Sequence, residues 1–254
     1  MIFETHAHYD DEAFKEDIEE VLQNVKDAGI GRIVNVAASM RSCITSMELA
    51  NTYEDIFAAV GVHPEETKEL TDADMKLLEQ YSSNKKVVAI GEIGLDYYWD
   101  EPERDIQKKW FEAQLELARK VSLPVIIHSR DAAKDTLDIM KNHKCEGIGG
   151  VIHCFSYGIE MAKEYLDMGF YIGVGGVVTF KNGKKLKEVV EYVPLDRIVT
   201  ETDSPYLAPT PNRGKRNDSS NIPYIIEEIA RIKGVSTEEV EEATWNNALR
   251  LYRQ

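Results

Sequence analysis

The 254-residue chain is poor in cysteine, in positive charge and in long apolar runs. Its three cysteines, Cys43, Cys145 and Cys154, are odd in number, widely spaced and free of any CxxC pair, which excludes a disulfide framework and a thiolate zinc knuckle. Reduced, mostly buried thiols are expected. Lys and Arg total 30 against 45 Asp and Glu, a formal net charge of −15, which excludes a general basic field for nucleic acid or anionic lipid. A locally basic mouth remains compatible with that balance. The longest weakly polar run, Tyr171 to Phe180, is far short of the roughly 20 residues that span a bilayer. The opening MIFETHAHYDDE lacks the basic and apolar regions of a signal peptide, so a cytoplasmic protein without membrane contact is expected.

Linkers and low-complexity segments are also missing, and no glycine-rich dinucleotide loop follows the first apolar run. With 43% hydrophobic residues the chain has enough apolar material for one core. Eight short apolar runs, most of them rich in Val and Ile, read as buried parallel strands: Ile2–His6, Ile33–Ala37, Ile56–Val62, Val87–Ile93, Pro124–His128, Ile148–His153, Phe170–Val174 and Arg197–Thr202. Helical periodicity fills the gaps, as in Ile18, Val21, Leu22, Val25 and Ala28 before Gly29, and in Trp110, Phe111, Gln114, Leu115, Ala118 and Val121. Pro223 suits the first turn of another helix, and Ser236 with Glu239 forms a capping box for the next. Eight units in 254 residues are about 32 residues each, the size of a βα unit. The expected fold is a single α/β domain over residues 1–254, a (β/α)8 TIM-type barrel. A doubly wound open sheet is the alternative.

Five of the six histidines, His6, His8, His63, His128 and His153, fall at or just past the ends of apolar runs, and His143 alone sits in a helical stretch. In a barrel those ends form one face, where reactive groups converge. His6 and His8 share a side by strand alternation. Glu92 ends an apolar strand, where a carboxylate is costly unless it pairs with Lys or Arg or binds cations. Asp203 follows the eighth strand, which Pro205 is expected to end, leaving the carboxylate at the rim. Glu201, of the same parity, either points inward one layer below or forms a salt bridge. His6, His8, Glu92, His128, His153 and Asp203 would crowd one cation but fit two that share Glu92. Mixed nitrogen and oxygen ligands suit Zn, Mn, Fe or Co, and an oxygen-rich set suits Mg.

Thr-His-Ala-His at 5–8, Gly-Val-His-Pro at 61–64, Gly-Glu-Ile-Gly-Leu-Asp-Tyr at 91–97, Ile-His-Ser-Arg at 127–130 and His-Cys-Phe-Ser at 153–156 occur in that order. Glu-Thr-Asp-Ser-Pro-Tyr-Leu at 201–207, Arg-Gly-Lys-Arg-Asn at 213–217 and Asn-Asn-Ala at 246–248 follow. Together they resemble the TatD-type metal-dependent deoxyribonucleases of the amidohydrolase-like barrel group, over nearly the whole length. The resemblance implies metal ligation by His6, His8, Glu92, His128, His153 and Asp203. It also implies 3′→5′ exonuclease or related phosphodiesterase activity on DNA, with two divalent cations (Zn, Mn or Mg) per subunit. Tyr157 departs from the family, which commonly has Gly after His-Cys-Phe-Ser or Thr.

On this reading Asp203 is the general base, Glu92 the bridging carboxylate, and Cys154, alternating with His153, faces away from the mouth. Acid-free stretches at 181–187 and 206–217 follow the seventh and eighth strands, and Arg213, Lys215 and Arg216 are the expected grip on phosphate. Lys185 and Lys187 are expected on a solvated helix face. Arg130 reaches a phosphate or pairs with Asp131 or Glu92. His63 donates to a phosphate oxygen or is structural. Asp96, Tyr97, Tyr98 and Trp99 form a rim segment, on whose aromatics a terminal base could stack, although Trp99 could equally pack under a loop. A metal-dependent amide, ester or lactone hydrolase is the alternative activity. DNA ends are the expected substrate, and a monomer the expected state.

Overall fold

A computed structural model describes residues 1–99 and 101–254. The apolar runs become strands β1 (Ile2–Ala7), β2 (Ile30–Val36), β3 (Ile56–Val60), β4 (Val87–Asp96), β5 (Val125–Arg130), β6 (Gly150–Ile152), β7 (Tyr171–Val174) and β8 (Ile198–Thr200). All pair in parallel, each with its neighbour in the chain, in one eight-stranded sheet. That order rules out the doubly wound alternative, which requires a reversal in strand order. The helices are α1 (Ile18–Asp27), α2 (Met40–Thr52), α3 (Asp72–Tyr81), α4 (Arg104–Val121), α5 (Ala133–Asn142), α6 (Ile159–Asp167), α7 (Lys184–Tyr192), α8 (Ile222–Lys233) and α9 (Thr237–Tyr252). No helix among the described residues is long and apolar enough to cross a membrane.

Local signals set the helix ends. Gly29 follows α1 with φ +90°, a conformation that favours glycine. Pro223 lies in the first turn of α8. Ser236 accepts from the Glu239 N–H while Glu239 accepts from the Ser236 N–H, the reciprocal cap that starts α9. Two cores result. The outer one packs strand residues such as Ile90 and Ile127 against helix residues such as Phe111 and Ile225. The inner one joins Phe3, Val34, Val88, Ile126, Val151, Tyr171 and Val199 to Ala248, Leu251 and Tyr252 of α9. Each large apolar side chain buried this way contributes roughly 1.5–3 kcal/mol. The barrel is therefore solid under the mouth, and reactive groups gather at its C-terminal rim.

The sheet is nearly closed. β1 meets the segment after β8 through one parallel bridge, Ala7 to Ser204. Backbone bonds from Asp203 N–H to His6 O (3.0 Å) and from His8 N–H to Ser204 O (2.9 Å) continue it. Glu4 clasps the same seam. Its Oε1 accepts from the backbone N–H groups of His6 and Thr202, and its Oε2 from the hydroxyls of Thr202 and Ser219. Burial, opposed by those hydrogen bonds, pushes this carboxyl up to about 7.

Pro205 does not end the eighth strand. β8 stops at Thr200, because the following residues turn to bond with β1 and with Glu4. β4, by contrast, runs three residues past Ile93 to Asp96. Its pairing with β5 continues through Gly94, where a Cβ would lie 1.9 Å from the His128 carbonyl oxygen. Only glycine fits that approach.

Candidate metal centre

The six expected ligands converge. His6 and His8 at the end of β1 bring their Nε2 atoms within 3.1 Å of each other. Glu92, on β4, divides its oxygens. Oε2 lies 3.4 Å from His6 Nε2 and 3.8 Å from His8 Nε2. Oε1 lies 2.8 Å from His128 Nδ1 and 3.6 Å from His153 Nε2. Asp203 Oδ1 is 3.3 Å from His8 Nε2 and 3.8 Å from the Nε2 atoms of both His6 and His153. No Lys or Arg pairs with Glu92 among the described residues. The ion-pair explanation of this carboxylate therefore fails, and its surroundings are imidazoles.

The arrangement suits cations. Imidazole nitrogens and carboxylate oxygens are ligands for divalent transition metals. The rear nitrogens of two rings are fixed so that the front ones face the centre. His8 Nδ1 donates to the Val36 carbonyl at 2.7 Å, and His128 Nε2 donates to Asp96 Oδ2 at 2.9 Å. Groups able to hold a metal include His6 with His8 and Asp203, and His63 with Glu92 and His128.

Electrostatics reflect the crowding. Burial disfavours the charged form of each imidazole at the centre, and for His6 burial with the neighbouring His153 prevails and lowers it. His63 falls to about 3 through burial and the adjacent His128. At His8, His128 and His153 burial also opposes the charge, but facing carboxylates outweigh it and lift each to about 9. Burial resists ionisation of Glu92, yet His153 and His6 hold it well below the usual carboxylate range.

Backbone turns aim several of these groups. Asp203 has φ +61° and Cys154 has φ +44°, left-handed conformations that carry strain in residues other than glycine. The turn at Cys154 overturns the expectation that its side chain faces away. β6 ends at Ile152, so strand alternation no longer applies, and Cys154 lines the mouth beside His153 and Asp203. Burial and the carboxylates around it raise its thiol well above the ordinary value.

The mouth is a cavity of about 1410 Å³ lined by all six ligands except His6, with His63, Arg130, Trp99 and Tyr206 around them. His63 Nδ1 accepts from the Glu65 N–H at 3.3 Å, which directs its other nitrogen toward Glu92, 3.9 Å away. Arg130 forms no ion pair among the described residues, and its guanidinium lies 3.8 Å from the centre of the Tyr98 ring. Tyr98 and Trp99 are each 54% exposed and meet edge to face.

Arg213, Lys215 and Arg216, the expected phosphate grip, are not among the residues that line this cavity. Arg216 makes a two-pronged pair with Asp17 and donates to the Ala13 carbonyl. Arg213 lies over Phe180, and Lys215 reaches Asn212. The acid-free local sequence hid Asp17, which arrives from across the barrel seam. Lys184 pairs with Glu188 and Lys185 is exposed, a solvated helix face, whereas Lys187 is half-buried and pairs across to Glu228 of α8. Tyr157 fills the position of the departure by joining Ser129 Oγ at 2.8 Å, tying the loop after β6 to strand β5.

Sequence reasoning missed Asp96 as a partner of His128, placing it only on the rim. Its signal was parity, since Glu92, Gly94 and Asp96 alternate along one strand face.

Comparison with known proteins agrees with the geometry. The family described as TatD related DNase matches residues 3–253. The chain is 46% identical over 253 residues to the uncharacterized metal-dependent hydrolase YabD of Bacillus subtilis, covering 100% of this chain and 99% of that protein. It is 36% identical over 255 residues to the uncharacterized metal-dependent hydrolase YcfH of Escherichia coli K12, covering 99% and 96%. The crystal structure of YjjV, a TatD homolog from Escherichia coli K12, superposes with a TM-score of 0.94 at 31% identity, covering 100% and 98%. The chain belongs to the TatD-related DNase family.

Proposed function

We propose that the protein is a divalent-metal-dependent phosphodiester hydrolase, a 3′→5′ exodeoxyribonuclease that acts on DNA ends as a monomer. One observation carries the proposal: Glu92 turns Oε2 to His6 and His8, and Oε1 to His128 and His153. That division suits a carboxylate that two cations would share, His6, His8 and Asp203 being the residues that would hold one and His128 and His153 those that would hold the other. When bound, such cations supply Lewis-acid activation of water near neutral pH and charge neutralisation at phosphate. The family's description as DNases and the metal-dependent hydrolases among its relatives support the same reading.

The chain's own groups supply the rest. Asp203 is 19% exposed at its side chain and stands at the floor of the mouth, where a carboxylate oxygen can take the proton of the attacking water. His63, with Nδ1 occupied by the Glu65 N–H, presents an N–H at Nε2 for a phosphate oxygen. Arg130 offers a guanidinium with no carboxylate partner among the described residues, and such a fork matches phosphate. Tyr98 and Trp99 give a terminal base a stacking surface, worth about 1–3 kcal/mol per base.

A metal-dependent amide or ester hydrolase is the second reading. It is favoured by the charge of the mouth, where Asp10, Asp11, Glu12, Glu65 and Glu66 join the ligand carboxylates against Lys15, Arg41 and Arg130. A polyanion meets repulsion there unless cations are bound. Metal-loaded protein should be incubated with single strands labelled at either end and with a small ester panel. Immediate release of a 3′ label, with slow shortening of the 5′-labelled strand, is expected. Ester turnover with intact DNA would establish the second reading instead.

A further inference from the structure

Three of the four ligand imidazoles have a carboxylate or carbonyl oxygen behind the ring. His8 has the Val36 carbonyl, His128 has Asp96, and His153 has Glu201, whose Oε1 lies 3.3 Å from His153 Nδ1. His6 is the fourth. Its ring stacks on that of His153, with centroids 3.6 Å apart and planes 18° from parallel. Both Nε2 atoms face Glu92 and Asp203, so both Nδ1 edges turn the other way. A nitrogen of His6, a nitrogen of His153 and an oxygen of Glu201 lie within 4.8 Å of one another, and all three residues are buried. His6 Nδ1, His153 Nδ1 and Glu201 Oε2 each lack a hydrogen-bond partner of good geometry among the described residues. Buried polar atoms are rarely left so, and two potential donors beside one acceptor are chemically complementary.

The surroundings hold that carboxylate in place. Glu201 Oε1 accepts from the Cys154 N–H at 2.6 Å. β7 passes alongside with Gly173, where a Cβ would lie 2.6 Å from Glu201 Oε2 and 2.7 Å from Oε1. Any side chain at 173 would displace the carboxylate. No Lys or Arg pairs with Glu201 among the described residues.

We propose that Glu201 is a positioning residue for the metal centre: a single carboxylate that accepts from Nδ1–H of both His153 and His6, and thereby turns both Nε2 lone pairs toward the cations. For His153 the contact needs only a small closure of the ring. For His6 the same carboxylate is reached directly or through one bridging water. Fixing the tautomer in this way raises the availability of a metal ligand, and removing such a partner typically weakens metal binding about 10–100-fold. The inference rests on the metal centre and is independent of the choice of substrate.

Glu201→Gln replaces one acceptor by an NH2 group that opposes the imidazole N–H donors. Gly173→Ala keeps the carboxylate but pushes it aside. Gly175→Ala is the control, since its Cβ would meet Glu201 only at an ordinary contact of 3.5 Å. Metal-free wild type and variants are titrated with Zn2+ against a chromophoric chelator, with thermal unfolding of the metal-free proteins recorded in parallel. Glu201→Gln and Gly173→Ala are expected to bind Zn2+ about 10–100-fold more weakly, and Gly175→Ala like wild type. In 15N-histidine spectra of the Zn2+-loaded wild type, His6 and His153 should carry their proton on Nδ1, and Glu201→Gln should shift both Nδ1 resonances. Wild-type affinity with unchanged resonances in Glu201→Gln overturns the proposal. If that variant does not fold, wild-type affinity in Gly173→Ala overturns it equally. A wild type that takes up no Zn2+ overturns the metal centre as well, whereas normal uptake by wild type and variants alike overturns this proposal alone.

Discussion

Asp96 Oδ2 lies 2.9 Å from Nε2 of His128, the ring nitrogen opposite the one that meets Glu92. The carboxylate therefore decides which nitrogen of His128 faces the centre. Asp96 is itself fixed, accepting the Tyr98 N–H at 2.9 Å and donating its own backbone N–H to Gln107 Oε1 at 2.9 Å. Asp96→Asn can present an NH2 to a nitrogen that must donate. It should weaken Zn2+ binding about 10–100-fold, measured by chelator competition, while the far-ultraviolet spectrum stays unchanged. Equal affinity would show that His128 orients without help.

Asp203→Asn separates ligation from proton transfer. The amide keeps an oxygen for a cation but is a far poorer base. With metal occupancy measured alongside, kcat on the cleaved substrate should fall roughly 100–10,000-fold. Full occupancy with near-normal turnover would remove Asp203 from the general-base role.

The pH behaviour of the metal-free protein follows from three raised histidines. His8, His128 and His153 stand at about 9 in the folded chain against an ordinary 6.5. A raised folded value favours the native state fully below 6.5, and that advantage is lost as pH rises through 9. The thermal midpoint of the metal-free protein should therefore drop between pH 6.5 and 9. Added Zn2+ should remove the drop, because ligation takes over from protonation and releases protons as it does so. Calorimetric titration in buffers of different ionisation enthalpy measures that release.

Arg130 and Arg216 should part company. Arg130→Ala removes a guanidinium that lines the mouth beside Tyr98, and it should raise KM for DNA with little change in stability. Arg216→Ala breaks an exposed pair with Asp17, which contributes little to stability, and it should leave KM unaltered. With so few cations at the mouth, the slope of log K against log salt should be shallow, since it scales with the phosphates neutralised. A steep slope, or a KM effect confined to Arg216, would return the phosphate grip to the loop at 213–216.

The barrel and most of the centre were legible because each rests on a short local signal. Val- and Ile-rich runs at regular intervals could only be buried parallel strands, and an expected His, Glu or Asp ligand at or near the ends of five of them stands out. His6, His8, Glu92, His128 and His153 were all visible in this way. Contacts across the seam were not. Arg216 meets Asp17 and Tyr206 donates to Asp11 only because β8 closes on β1, which joins residues nearly 200 positions apart. Cys154 was misplaced because alternation was extended beyond the last residue of a three-residue strand. Glu4 carried no signal at all, since a carboxylate met by four donors depends on Thr202 and Ser219 from the far end of the chain.

The proposed function requires Glu92 to join two cation positions. Crystals of the protein grown with Zn2+ and measured at the zinc absorption edge test it most directly. Two anomalous peaks are expected, one between Glu92 Oε2 and the His6–His8 pair, the other between Oε1 and the His128–His153 pair. A single peak away from Glu92, or none, would contradict it.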